Sequence, residues 1–204
     1  IEPLRAANWQ SGKDIFEWAV ASPDGKSSIA SNGIEVFTNT KPDDLKDCRM
    51  VFVCSGVNVK QNTNKMILNL IRRLDRNGTI IGAICTGTYV MAAAGLLDGR
   101  RCTIHWENID GLAEEFHELQ ITNDLFEIDG KRVTCSGGTA SLDMMLNLIL
   151  QSHGSQLAAE VSDQFIHDRI REPTDRQRME LRSRIGVSHP KLLAVVKTME
   201  ENLE

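Results

Sequence analysis

The chain has 204 residues, a formal net charge of -5 and a hydrophobic fraction of 41%. With a charged fraction of 25%, these values are ordinary for one α/β domain with a full core, and they exclude disordered and fibrous proteins. Because the net charge is negative, the composition of this chain does not indicate a surface that binds nucleic acid. We find neither a signal peptide nor an apolar run of about 18 residues, so we predict no membrane partner.

The five cysteines do not suggest a disulfide framework. Their number is odd, no two are spaced as CxxC, and three end or flank apolar runs. These features are typical of reduced, buried thiols in a cytosolic protein. Cys102 and His105 have the spacing of a metal pair, but on a strand they would point to opposite faces. We therefore predict a cytoplasmic protein with no metal and no cofactor.

The first 78 residues predict alternating helices and strands. The predicted elements are a helix over residues 1–8, a strand over 16–22, a hairpin of 28–30 with 34–37, an apolar strand over 50–54 and an amphipathic helix over 64–77. The apolar strand ends at Ser55-Gly56, where a bare backbone can approach a ligand closely. Ser55 and Gly56 are therefore candidate ligand-binding residues.

Residues 78–106 predict the unit around which a site forms. An apolar run over 79–84 predicts a buried strand, a helix follows to about residue 97, and a second strand covers 101–106. This alternation requires right-handed crossovers and a parallel sheet covered on both faces. Ligands bind at the carboxyl ends of such strands. The candidates at these ends are Cys85, Thr86, His105 and Trp106.

Cys85 lies at a sharp turn between its strand and the next helix. A cysteine there presents its sulfur above the edge of the sheet, close to the first free N–H groups of the helix. These N–H groups and the helix dipole favour negative charge. We therefore expect Cys85 where a thiolate or a bound anion would be stabilised.

His105 and Trp106 admit two interpretations. Either the histidine is a satisfied core residue beside a packing tryptophan, or the pair forms the wall of a pocket. In the second case Trp106 offers an aromatic face and His105 a polar tip, which suit a small amphipathic or cationic metabolite. We interpret His117 as a surface residue and His153 and His167 as structural.

The second half of the chain predicts another turn with free N–H groups. Its predicted elements are a helix over 108–119, a hairpin of 125–128 with 131–135, a helix ending near 151 and a helix over 156–171. Between the hairpin and the next helix lie Ser136, Gly137 and Gly138. They form a helix cap, or their converging N–H groups bind a carboxylate.

The end of the chain, from residue 170 onward, differs from the rest in its charge pattern and in its helical periodicity. Residues 170–185 carry charges of alternating sign, which favours a solvated arm over a nucleic-acid patch. Residues 186–190 are typical of a linker. An apolar stripe then predicts a last helix with few partners in the chain, formed by Leu192, Val196, Met199 and Leu203.

Two sequence stretches resemble a known superfamily. Residues 83–87, AICTG, resemble the nucleophile elbow of the class I glutamine amidotransferase-like superfamily in its PfpI-like branch. The continuations AAAGLLDGRRCTIHW and VTCSGGTASLDMMLNLI resemble the N-terminal sensor domains of AraC/XylS-type transcriptional regulators. This resemblance implies a three-layer α/β/α sandwich with a mostly parallel, flavodoxin-like sheet.

The resemblance also implies an organisation and a function. Residues 1–186 would be the ligand-sensing domain, with the family's first strand and acidic loop lying before Ile1, and residues 187–204 would be a linker and the first helix of a helix-turn-helix domain. The effector would be a small nitrogenous metabolite bound over Cys85. DNA would be bound through a C-terminal domain outside this chain, and the regulator would be a homodimer without enzymatic activity.

Two other functions stay open at this point. A PfpI-like hydrolase or stress protein would use Cys85 as a nucleophile, with backbone N–H groups near Gly56 and Thr86 as its oxyanion site. Against it, Thr86 stands where that branch often has a histidine, and an acidic partner is missing. The other alternative is a purely structural dimerisation module.

Overall fold

The computed structural model describes residues 1–179 and 181–202. Leu203, a member of the predicted apolar stripe, and Glu204, the last residue of the predicted linker and helix over 187–204, lie outside the described residues. The helices are α1 (Glu2–Ser11), α2 (Val59–Asn62), α3 (Lys65–Arg76), α4 (Gly87–Ala93), α5 (Ile109–Glu115), α6 (Ala140–His153), α7 (Ser155–Gln164), α8 (Leu181–Ile185) and α9 (Pro190–Glu201). The strands are β1 (Ser28–Ile29), β2 (Glu35–Val36), β3 (Met50–Ser55), β4 (Ile80–Cys85), β5 (Arg101–Thr103), β6 (Gln120–Thr122), β7 (Phe126–Asp129) and β8 (Arg132–Cys135). Within the described ranges, no helix is both long and apolar enough to span a bilayer.

The main sheet has the strand order β3-β4-β8-β7. Strands β3, β4 and β8 run parallel, and β7 pairs antiparallel with β8 through the predicted hairpin. In this register Ser55 lies opposite Cys85, and Ile84 lies opposite Cys135. The carboxyl ends of the three parallel strands therefore meet at one edge of the sheet.

Helices cover both faces of this sheet, and the predicted three-layer α/β/α sandwich is confirmed. On one face α3 and α4 bury side chains such as Ile71 and Leu74 in a core shared with β4. On the other face α6 packs on β7 and β8, and α1 and α7 pack behind α6. Asn64 caps α3, since its side chain accepts hydrogen bonds from two backbone N–H groups of the first turn.

The predicted strand over residues 16–22 is wrong. This segment is extended but pairs with no strand in the described part of the chain. Two asparagine side chains satisfy its backbone instead. Asn8 bonds both the N–H and the C=O of Phe16, and Asn39 bonds the N–H of Val20 with its side chain and the C=O with its backbone. At Phe16 and Val20, bonds to these two asparagines thus replace those of the neighbouring strand on which the prediction depended.

Four predicted elements end earlier than the sequence suggested, and one of them is helix α5, which ends at Glu115. Helix α4 ends at Ala93 because Gly95 turns the chain with a φ of 70°. Strand β5 ends at Thr103, and a short 3-10 helix begins at Trp106. Helix α7 ends at Gln164, where Ile166 adopts a φ of 53°, so residues 167–171 are not helical.

Candidate functional site

Cys85 lies at the carboxyl edge of the sheet in a conformation that only a few residue types adopt readily. Its φ is 59°, in the left-handed region, which costs about 1–3 kcal/mol for a residue with a side chain. The turn after β8 packs directly on it: a Cβ added to Gly137 would lie 2.8 Å from Cys85 Cβ and 3.3 Å from Sγ. The structure therefore brings the two turns together at this edge.

Thr86 ties the turn after β4 to the end of β3. Its hydroxyl donates a hydrogen bond of 2.6 Å to the carbonyl oxygen of Gly56, and the residue is buried. Ser55 lies beside Cys85 in the parallel register. Ser55 and Gly56 therefore line the same edge as Cys85, whereas the Thr86 hydroxyl is occupied by a bond within the protein.

The turn after β8 offers fewer free donors than the sequence suggested. The N–H and the hydroxyl of Ser136 both donate to the Leu125 carbonyl oxygen at 2.9 Å, and the Gly137 N–H lies 3.3 Å from Cys135 Sγ. Gly138 is exposed and has a φ of 54°. Two of the three N–H groups on which the carboxylate interpretation depends are therefore already bonded within the protein.

His105 and Trp106 lie just after the end of β5. His105 Nδ1 accepts from the Glu107 N–H at 3.4 Å, so the imidazole caps the 3-10 helix. The Trp106 ring lies 5.6 Å from the imidazole, centroid to centroid, and the residue is 38% exposed. Its face is not bare, because the Arg178 guanidinium carbon lies 4.3 Å from the ring centroid.

The surroundings of Cys85 disfavour its thiolate. Burial raises the pKa of Cys85, the negative charge of Glu107 raises it further, and the hydrogen bond from the Thr86 backbone N–H lowers it only in part. The expectation of a stabilised thiolate is therefore wrong. Removal from water outweighs the N–H groups of the turn because it disfavours the charged form directly.

Alkylation of Cys85 is expected to be slow at neutral pH. Because its pKa is raised above the 9.0 of an unperturbed thiol, the rate should keep rising above pH 9 as thiolate forms. Mass spectrometry of peptides after timed iodoacetamide treatment measures the pH profile of Cys85 separately from those of the other four cysteines. A Cys85 rate that is already maximal at pH 7 would indicate an activated nucleophile instead.

The segment after α7 also lies at this site, which the sequence did not indicate. The Gln177 side-chain nitrogen lies 3.0 Å from Thr103 Oγ1, 3.1 Å from the Ile104 carbonyl oxygen and 3.0 Å from the Asp124 carbonyl oxygen. Gln177 Oε1 is buried and has no hydrogen-bond partner among the described residues. The prediction of a solvated arm is thus wrong for this part, because the segment lies against the end of β5.

A buried carboxylate anchors the start of that segment. Asp143, on the first turn of α6, is fully buried and accepts hydrogen bonds from His167 Nε2 at 2.8 Å and from Arg171 at 2.6–2.9 Å. Burial alone would raise the pKa of Asp143, but the bonds from Arg171 and His167 outweigh it and lower the pKa. Arg171 also donates to Thr139 Oγ1 at 2.7 Å, so the anchor reaches the turn after β8.

The sequence indicated a surface position for His117 and structural roles for His153 and His167, and the contacts of these three residues agree. His117 is exposed and its Nδ1 lies 3.1 Å from the Ala113 carbonyl oxygen, while His153 packs edge-on against Phe16. His167 is the partner of Asp143. In the described ranges, no three histidine, cysteine or acidic side chains are grouped as metal ligands.

Two shallow depressions lie away from Cys85. One, of about 310 Å³, lies between residues 176–182 and α9 and is lined by Arg176, Leu181, Arg182, Leu193, Ala194 and Lys197. The other, of about 410 Å³, lies at the opposite, amino end of β3 and β4. Neither includes a residue that the sequence predicts to bind a ligand.

Comparison with known proteins gives consistent matches. The model of the DJ-1/PfpI family matches residues 3–151. The HTH-type transcriptional regulator CdhR of Pseudomonas aeruginosa is 47% identical over 204 residues, which cover 100% of this chain and 60% of that protein. The regulator GbdR of the same species is 40% identical over 204 residues and is covered to 56%. The chain therefore spans about three fifths of the length of these curated relatives.

A solved structure supports the fold. The crystal structure of an AraC family transcriptional regulator from Pseudomonas putida superposes with a TM-score of 0.69 at 23% identity, covering 80% of this chain and 88% of that chain. At this identity the likeness concerns the fold alone. It agrees with the mostly parallel sheet between two helical layers.

Proposed function

The chain belongs to the DJ-1/PfpI family, and on this premise we propose that it is the ligand-sensing domain of a transcriptional regulator. The observation that carries the proposal is the match over all 204 residues to two proteins named as HTH-type regulators. The raised pKa of the Cys85 thiol supports it, because a sensor needs no activated nucleophile. Residues 1–186 would form the sensor, and residues 187–204 would lead into a domain that binds DNA.

The effector in this proposal is a small nitrogenous metabolite. It would bind over Cys85, in contact with Ser55-Gly56 and His105-Trp106. The Trp106 ring, which is partly exposed, is a face that such a molecule could contact. The regulator would act as a homodimer in the cytoplasm, because paired proteins read repeated half-sites.

A hydrolase that uses Cys85 as its nucleophile is the second candidate. The left-handed φ of Cys85 favours it, since a strained strand-to-helix turn also presents the nucleophile in α/β hydrolases. The raised pKa argues against it, and the Thr86 hydroxyl is bonded to Gly56 rather than to the thiol. An activated nucleophile needs an adjacent base or a lowered pKa.

Thermal unfolding with a panel of amino acids and quaternary amines tests the proposal. At 100-fold excess over Kd, a true effector should stabilise the chain by about 2.7 kcal/mol, which raises Tm by about 5–11 °C. We expect the shift to fall in Cys85→Ala and to persist in Cys48→Ala, a control at the opposite end of β3. Ester hydrolysis that Cys85→Ala abolishes, without a shift from any compound, would favour the hydrolase.

A further inference from the structure

We propose that Arg178 occupies a cation site on Trp106, and that a cationic effector displaces it and thereby releases the C-terminal arm (residues 167–179) from the sensor. This inference rests on the proposed function and specifies its effector as a cation. It concerns a regulatory contact made by residues outside the parallel sheet. Three observations carry it.

The first observation is the position of the guanidinium over the indole. Arg178 Cζ lies 4.3 Å from the Trp106 ring centroid, within the range of a cation–π contact, and tryptophan offers the strongest such face among the aromatic residues. Trp106 adjoins His105 and Glu107, whose charge reaches Cys85. The internal cation thus lies at the rim of the same site.

The second observation is the neighbouring residue, Gln177. Its side-chain nitrogen is held at the end of β5, yet its oxygen is buried without a partner among the described residues. A buried acceptor without a donor is unfavourable, and release of the arm would return this oxygen to water. The docked arm therefore carries an internal cost, which reduces the free energy that a competing cation must supply to displace Arg178.

The third observation connects this contact to the end of the chain. Arg178 Nη2 also lies 3.9 Å from Glu200 Oε1 on α9, and Arg184 of α8 bonds the same carboxylate. One guanidinium therefore joins the Trp106 ring to the two terminal helices. Occupation of the ring by another cation breaks this connection.

Arg178 and a cationic effector compete for the same face of the Trp106 ring, and this competition determines how binding of the effector affects the arm. A ligand shifts a conformational equilibrium only through its different affinities for the two states. A cation on Trp106 binds only the state from which Arg178 has moved, so it favours a released arm. By the same reasoning, removal of the Arg178 charge should strengthen binding of the cation.

Titration of Arg178→Gln with tetramethylammonium tests this competition. The chain carries Trp9→Phe and Trp18→Phe, so that Trp106 alone reports fluorescence. We expect Arg178→Gln to lower the half-saturating concentration by about 2- to 5-fold, the strength of an exposed cation–π contact. tert-Butanol, a neutral molecule of similar size, should not bind, and sodium chloride at equal ionic strength controls for screening.

Arg182→Gln is the matched control, because it removes the same charge from a neighbouring residue that faces α9. We expect its titration to equal that of the unsubstituted chain. Amide hydrogen exchange, measured on the chain with all three tryptophans, is the second readout. Exchange of residues 174–179 should accelerate when tetramethylammonium is added, and Arg178→Gln should show this faster exchange without it.

The possible outcomes separate the two proposals. Equal titrations for Arg178→Gln and the unsubstituted chain, with no change of exchange in the arm, would overturn the release mechanism. If a metabolite of the panel still stabilises the chain in that case, the sensor function stands. Absence of binding by tetramethylammonium and by every compound of the panel would overturn both.

Discussion

Gly87→Ala is expected to lower the free energy of unfolding by about 3 kcal/mol, the upper end of the range for overpacking a core. A Cβ on Gly87 would lie 2.1 Å from the carbonyl oxygen of Val53 and 3.1 Å from its carbonyl carbon. No rotamer can relieve this contact, because both atoms belong to the backbone. Strand β3 would have to shift against β4, with which Val53 pairs at Ala83. Urea unfolding followed by circular dichroism measures the change.

Gly111→Ala is the control for this substitution. Gly111 lies in α5, where an added Cβ meets no atom within 4 Å, so alanine should be neutral or stabilise the chain by about 0.5–1 kcal/mol through its higher helix propensity. A Gly87→Ala protein as stable as the Gly111→Ala protein would show that the turn after Cys85 is not held against β3 as described.

The central part of the fold could be predicted because its signals are local. Continuous apolar runs mark β3 and β4, and Asp129-Gly130 marks the hairpin of β7 and β8. Parallel strands then bring Ser55 and Cys85 to one edge of the sheet, as the register shows. The ligand-binding roles of these residues stay predictions.

What could not be predicted depends on contacts between distant residues. Arg171 and Arg178 lie in a stretch of alternating charge that is typical of solvated segments, and no local pattern indicates Asp143 or Trp106 as their partners. The raised pKa of Cys85 depends in the same way on burial and on the charge of Glu107, and neither can be read from the five-residue motif around Cys85. Tertiary contacts decide these features, and sequence periodicity does not report them.

Asp143→Asn is expected to destabilise the chain by about 3–5 kcal/mol, the loss typical of breaking a buried ion pair on one side. The amide cannot satisfy both His167 and Arg171, which donate to the two carboxylate oxygens at 2.6–2.9 Å. Urea unfolding at pH 7 measures the loss. Asp163→Asn, on the exposed side of α7, should change stability by less than about 0.5 kcal/mol.

The pH dependence of stability gives the same interaction a second test. The pKa of Asp143 in the folded chain is lowered below 3.8, so its contribution is complete above the unfolded value and is lost as pH falls through the folded one. The unsubstituted chain should therefore lose this stability below about pH 4, whereas Asp143→Asn should lack that part of the acid dependence. Since Asp143 holds Arg171 of the arm that carries Arg178, Asp143→Asn should also accelerate amide exchange over residues 174–179. Unchanged exchange there would mean that contacts nearer the end of the arm, at Gln177 and Trp106, hold it independently of the buried carboxylate.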